Sequence, residues 1–345
     1  MKTMIRSAVT GLAALALLAG CELGSKDTVQ RGYRGTGMEL VIVPEERVGH
    51  VNANQPPEPA PPQPAAGPKA RDIYQNVQLL GDLSIGEFTR LMASITEWVA
   101  PEQGCNYCHN PQNLADDSKY TKKVSRVMIA MTQRTNEAWQ DHVGNVGVTC
   151  YTCHRGNNIP VNVWATDPGP KRATGMVGQT PQNYASPAVG MSSLPYDPFS
   201  SMLGGNRDIG GVQADTALPM GHPTDLRDAE WTYALMMHFS QSLGVNCTYC
   251  HNSRAFNQWE QASPAKVTAW HGIRMVREIN SEFIEPTTPW LPEHRKGPMG
   301  DALKTNCKTC HQGAYKPLYG AEMLQYYPNL AELGKELEDL DLFEE

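Results

Sequence analysis

Eight of the nine cysteines fall into four copies of one pattern, Cys-x-x-Cys-His, and that pattern constrains the chain more than any other feature. The copies are Cys105/Cys108/His109, Cys150/Cys153/His154, Cys247/Cys250/His251 and Cys307/Cys310/His311. A disulfide framework leaves the histidine after each pair unexplained. Zinc bound by paired Cys-x-x-Cys units belongs to reducing compartments and also ignores the four histidines. A thioredoxin-like centre needs one active pair rather than four. The pattern is that of c-type haem attachment: two thiols add across the porphyrin vinyl groups, and the adjacent imidazole turns onto the iron from the same side. The sequence therefore predicts four covalently bound haem c groups, with His109, His154, His251 and His311 as proximal ligands. Such cofactors supply much of the buried apolar surface themselves, which suits a 345-residue chain with only 8% aromatic residues.

The chain opens with an export signal in residues 1–20: Lys2 and Arg6 give a basic start, and Ala8 to Leu18 form an apolar stretch too short to span a bilayer. It ends in Leu18-Ala19-Gly20-Cys21, which resembles the bacterial lipobox. The resemblance implies cleavage before Cys21 and a diacylglycerol on its sulfur. Each buried methylene of such a lipid contributes about 0.8 kcal/mol to membrane anchoring. No later segment is apolar enough to cross a membrane. Loss of the two cations with residues 1–20 takes the formal charge from -7 to -9. An exported acidic protein makes a poor nucleic-acid binder and a suitable docking surface for a small basic partner, with attraction weakening as salt rises.

The motifs repeat in pairs. The first and third end Tyr-Cys-His-Asn, at Tyr107 to Asn110 and Tyr249 to Asn252, whereas the second and fourth share Thr-Cys-His-x-Gly, at Thr152 to Gly156 and Thr309 to Gly313. The expected fold is mainly α with long irregular segments, in two pseudo-symmetric halves each holding two haems. Residues 21–70 form a lipid-anchored segment with a proline-rich, extended stretch at 54–69. Residues 71–164 hold the first haem pair, 165–223 an irregular connector rich in Pro and Gly, and 224–320 the second pair. Strands are few, with one expected in Met38 to Val43. Residues 321–345 are an acidic tail in which Leu330, Leu333, Leu337 and Leu340 allow a short surface helix.

A helical apolar pattern precedes each of the first three motifs and carries methionine: Phe88, Leu91, Met92 and Ile95; Val124, Val127, Met128 and Met131; Leu235, Met236 and Phe239. Each such helix can lie against its haem and offer a thioether to the open side of the iron. Met131 and Met237 compete with Met128 and Met236, although Leu91-Met92 and Leu235-Met236 lie comparably far before their motifs. For the fourth haem, His271 takes the position of Met128 by repeat alignment, while His142 and Met275 are alternatives. His50, His222, His238 and His294 are expected to be structural.

With these motifs in hand, nearly the whole chain after the signal resembles the tetrahaem cytochrome subunit of the purple-bacterial photosynthetic reaction centre. That resemblance implies Met92 with His109, Met128 with His154, Met236 with His251 and His142 with His311 as axial pairs. It also implies a function: taking electrons from a soluble periplasmic carrier, a small cytochrome c or a high-potential iron–sulfur protein, and re-reducing the photo-oxidised bacteriochlorophyll special pair. The chain would then be an electron carrier associated with the reaction-centre membrane subunits, lipid-anchored at the periplasmic face of the inner membrane. Rival classes are a multihaem reductase, which needs an iron with an open position, and a lipoprotein conduit for respiration.

Overall fold

The structure is a computed structural model that describes residues 24–32, 35, 37–167, 169, 186–209, 226–333 and 342–343. The export segment, Cys21, His222 and most of the acidic tail beyond residue 333 lie outside them. Among the described residues, helix and irregular chain dominate, and the one sheet is a pair of antiparallel strands, β1 (Asp27–Gln30) and β2 (Glu39–Ile42), with Asp27 opposite Ile42. The sheet is tied to the third motif. Asn246 Oδ1 accepts from the Val41 backbone N–H at 2.9 Å, while Asn246 Nδ2 and Thr248 Oγ1 donate to the Glu39 carbonyl at 3.0 and 2.7 Å.

Five longer helices carry the fold: α1 (Pro44–Ala53), α2 (Ile85–Val99), α3 (Tyr120–Ala138), α4 (Leu226–Leu243) and α5 (Pro264–Glu278). Helix α2 starts where it does because Ser84 and Glu87 form a reciprocal capping box, which satisfies two otherwise orphaned N–H groups and contributes about 1 kcal/mol. Ser84 Oγ also donates to the Pro64 carbonyl at 2.6 Å, and Arg90 grips the Ala60 carbonyl at 2.7 Å. These bonds hold the extended proline-rich segment along α2. Helix α5 begins with Pro264 at its first position and runs on into a π turn, Ile279–Ile284.

The main core gathers Trp164, Leu235 of α4, and Ile273, Met275 and Val276 of α5 around Phe199, Met202 and Leu203. The last three come from the described part of the connector, where Asp197 Oδ1 accepts from the Phe199 and Ser200 N–H groups at 3.0 and 3.1 Å and starts a single helical turn. A second core, under α2, joins Leu91, Trp98, Leu318, Met323, Tyr327 and Leu330. Helix α3 lies between the two with a face that is polar yet buried: Asn136 Nδ2 donates to the Val148 and Leu330 carbonyls at 2.9 and 2.7 Å, and its Oδ1 accepts from the Val148 N–H at 2.7 Å.

Candidate haem sites

The histidine of each motif is set by a hydrogen bond from its Nδ1 to a backbone carbonyl just downstream. In the first and third motifs the acceptor is five residues on, with His109 donating to Leu114 and His251 to Phe256, both at 3.0 Å. In the second and fourth it is three residues on, with His154 donating to Asn157 at 2.9 Å and His311 to Ala314 at 2.8 Å. A carbonyl oxygen can only accept, so Nδ1 carries the proton and Nε2 keeps its lone pair for a metal. Burial lowers the pKa of His154 and of His251. In His311, burial together with the facing His142 pulls it down to about 4. The buried imidazoles are therefore neutral at physiological pH, the form that binds a metal.

The backbone around the motifs follows the same pairing. Cys150–His154 and Cys307–His311 are each one helical turn, capped by Thr149 with Thr152 and by Asn306 with Thr309, and each is closed by a left-handed residue, Arg155 (φ 47°) and Gln312 (φ 47°). The first and third motifs are 3₁₀ turns instead, at Gly104–Tyr107 and Cys247–Tyr249. Their tyrosines are held alike: the Tyr107 hydroxyl accepts from Arg295 at 2.6 Å, and the Tyr249 hydroxyl from Arg31 at 3.3 Å.

Opposite the first two motifs the methionine helices open a shared cavity of about 280 Å³, whose lining includes Met92, His109, Met128, His154 and the four cysteines of both motifs. The residue just before each of the three methionines is fully buried: Leu91 at 1%, Val127 at 0% and Leu235 at 0% exposure. Each of these residues fastens its helix to the interior; the next position, rotated by about 100°, lines the shared cavity at Met92 and Met128 and packs on the main core at Met236. Thr96 and Thr132, four residues after Met92 and Met128, donate back to those methionine carbonyls at 2.8 Å, which hides both hydroxyls on faces that line the cavity. Ser240 stands in the same relation to Met236 in the sequence, whereas the Met237 methyl lies near Gly190 of the connector. A second cavity, of about 510 Å³, runs between α4, β2 and the fourth motif, past Ser240, Leu243, Arg47, His50 and Lys308.

His142 and His311 face each other with ring centroids 6.1 Å apart and planes inclined at 67°. Two imidazoles sharing one metal through bonds of about 2.0 Å would bring their centroids to this separation. His142 Nδ1 donates to the Thr268 carbonyl at 2.9 Å, so all five of these histidines present the same tautomer. His271 turns elsewhere, with Nδ1 3.8 Å from Asp141 Oδ2 and its ring edge-on to Trp270. Burial pushes the thiols of Cys150 and Cys250 up to about 11 and that of Cys307 to about 12. At these three positions burial disfavours the thiolate that zinc requires. The donor set, the free Nε2 atoms and the shared cavity fit haem c.

Comparison with known proteins agrees with this chemistry: residues 22–331 match the family model of the photosynthetic reaction centre cytochrome c subunit. The chain belongs to that family. It is 53% identical over 328 residues to the photosynthetic reaction center cytochrome c subunit of Rubrivivax gelatinosus, covering 94% of this chain and 89% of that protein. To the same subunit of Thermochromatium tepidum it is 51% identical over 317 residues, covering 92% of this chain and 78% of that one. To that of Roseobacter denitrificans it is 39% identical over 345 residues, covering 94% and 91%. Family membership makes the chain an electron-transfer subunit of the reaction centre rather than an enzyme. Among the described residues no helix is long and apolar enough to cross a membrane.

Two site features escaped the sequence reading. The capping boxes at Thr149 and Asn306 use threonine at the third helical position instead of glutamate or glutamine, so the usual capping pattern misses them. Arg155, directly after the second motif, reaches both the Asn54 side chain at 3.0 Å and the Cys310 carbonyl at 2.8 Å.

Proposed function

We propose that the chain holds four haem c groups in two pseudo-symmetric halves and passes electrons from a soluble periplasmic carrier, a small cytochrome c or a high-potential iron–sulfur protein, to the photo-oxidised bacteriochlorophyll special pair. Haem c at these sites supplies one-electron ferric/ferrous chemistry. The chain's own residues set where each site lies and which oxidation state it favours. The axial pairs are Met92/His109, Met128/His154, Met236/His251 and His142/His311. A thioether donor favours ferrous iron and a second imidazole favours ferric iron, so the fourth site is the low-potential one.

The spatial order of the sites along the molecule is first, second, fourth, third. Three contacts support it. The first two motifs line one cavity that Cys310 of the fourth also reaches, Arg155 directly after the second motif donates to the Cys310 carbonyl at 2.8 Å, and the helical turn of the fourth motif packs on α4, which precedes the third. A row in this order sets the low-potential fourth site between higher-potential neighbours. The observation that carries the reading is the common tautomer of five histidines, four within Cys-x-x-Cys-His motifs, inside a chain of this family. The protein works at the periplasmic face of the photosynthetic membrane, held there by lipid on Cys21 and by the reaction-centre membrane subunits.

Flash absorption on membranes containing the protein tests this function. Haem oxidation should follow the flash with the same kinetics as recovery of the special pair. Photochemically active membranes with no light-induced haem oxidation would overturn it. Mass analysis of the amino-terminal peptide should find Cys21 as the acylated first residue.

A further inference from the structure

We infer that Gly272 and the backbone carbonyl of Thr268 are the positioning elements for the distal ligand of the fourth haem, an inference that rests on the assignment of His142 to that site. The two residues are four apart on α5 and therefore share one face of the helix. Across that face lies His142, in the short turn Gln140–Val143 that follows α3. Its Nδ1 donates to the Thr268 carbonyl at 2.9 Å. A Cβ placed on Gly272 would stand 2.5 Å from His142 Cε1 and 2.8 Å from Nδ1, closer than real side-chain carbons come, and 3.1 Å from Nε2.

The imidazole thus occupies the space that any side chain at 272 would fill. Stepping aside would break the Thr268 bond that fixes one ring atom and would change the 6.1 Å separation from His311. Nor can the helix give way, since Ile273, Met275 and Val276 are buried in the main core directly after Gly272. Glycine weakens a helix interior relative to alanine. Here the weaker residue is what lets an imidazole carried by another segment lie flat against the helix. Thr268 sets the tautomer and Gly272 sets the depth, and together they aim Nε2 at His311. His271, one residue before the glycine, contacts Asp141 and Trp270 and is not part of this clamp.

The test uses the full, lipid-bearing chain and reads a redox titration together with the low-temperature paramagnetic resonance spectrum of the ferric protein. In Gly272→Ala the lowest of the four one-electron waves should move upward while the other three stay in place, and the bis-imidazole ferric signal should be lost or reshaped. His142→Ala should give the same pattern, and His271→Ala should leave all four waves unchanged. An unaltered lowest wave and signal in Gly272→Ala, beside their loss in His142→Ala, would overturn the role of Gly272 and leave the ligand intact. Unchanged waves in His142→Ala would overturn the ligand assignment and this inference with it. The unsubstituted protein supplies a second reading that needs no variant: planes inclined at 67° give the strongly anisotropic low-spin signal of crossed imidazoles, and a signal of parallel planes would contradict the clamp.

Discussion

Arg155 Nη2 donates to the Cys310 carbonyl at 2.8 Å, so a guanidinium that belongs to the second motif is fastened to the backbone of the fourth. The same side chain holds the Ala53 carbonyl through Nη1 and Asn54 Oδ1 through Nη2. With haem at the second and fourth motifs as proposed, a fixed positive charge between them would favour the ferrous state of both. At an effective dielectric near 20, removing roughly 1 kcal/mol of such interaction lowers a one-electron potential by roughly 40 mV. Arg155→Gln should therefore lower two of the four midpoint potentials together, and Arg155→Lys should keep most of the charge effect. Redox titration of the two variants checks this, and a shift confined to a single wave would contradict a cation shared by two sites.

Met92→Leu, Met128→Leu and Met236→Leu should each disturb one haem only. Leucine keeps the volume and apolar character of the site, so packing changes little and the loss is that of the sulfur donor. Each variant is expected to remove the methionine–iron absorption of one haem and change one midpoint potential, with thermal stability nearly unchanged. The third helix gives the sharpest comparison. Met237→Leu should leave all four potentials in place, because Leu235 buries the helix in the register that Leu91 and Val127 set for theirs.

Legibility in the sequence tracked how local each requirement is. Covalent attachment demands Cys-x-x-Cys-His within five residues, so candidate sites are located by a short local pattern. Helical periodicity narrows the candidate methionines to neighbouring choices, since Met236 and Met237 differ by about 100° of rotation, and the burial of Leu235 that fixes the helix's rotation is made against distant segments. A strand was expected in Met38 to Val43 and forms at Glu39–Ile42, whereas its partner Asp27–Gln30, exposed along its length, carries no alternation to betray it. The connector reads as irregular, yet Phe199, Met202 and Leu203 sit in the main core on a turn too short to show a period. Gly272 looks locally like a defect in α5, and its reason lies 130 residues earlier at His142, beyond any sequence window.

Asn54 is the joint where the proline-rich segment leaves α1, and it is buried to 1% exposure. Its Nδ2 donates to the His50 carbonyl at 2.8 Å and the Gln312 carbonyl at 3.1 Å, while Oδ1 accepts from Arg155 and from the Leu318 N–H. Truncation strands several buried groups at once. Asn54→Ala should cost about 2–3 kcal/mol, read as a lowered thermal midpoint. Combined with Arg155→Gln the losses should add to less than their sum, since both variants break the same bond.

The loop after the first motif holds an ion-paired carboxylate whose contribution to stability is lost in acid. Burial raises the pKa of the Asp117 carboxyl, but hydrogen bonds from Arg126, Asn76 and Lys122 outweigh it and hold that carboxyl well below the usual carboxylate range. Arg126 and Lys122 each approach it to 2.9 Å from the first turns of α3. Because the folded value lies below the unfolded value of about 3.9, the ionised form is bound more tightly in the native state. Its contribution is complete above about pH 5 and is lost as pH falls through the unfolded and then the folded value. Solvent at this partly exposed pair reduces that contribution to roughly 1–2 kcal/mol. Asp117→Asn should therefore be less stable than the parent at neutral pH, and the two thermal midpoints should converge below pH 3. A difference that stays constant from pH 7 to pH 2 would mean that Asp117 acts through packing rather than charge.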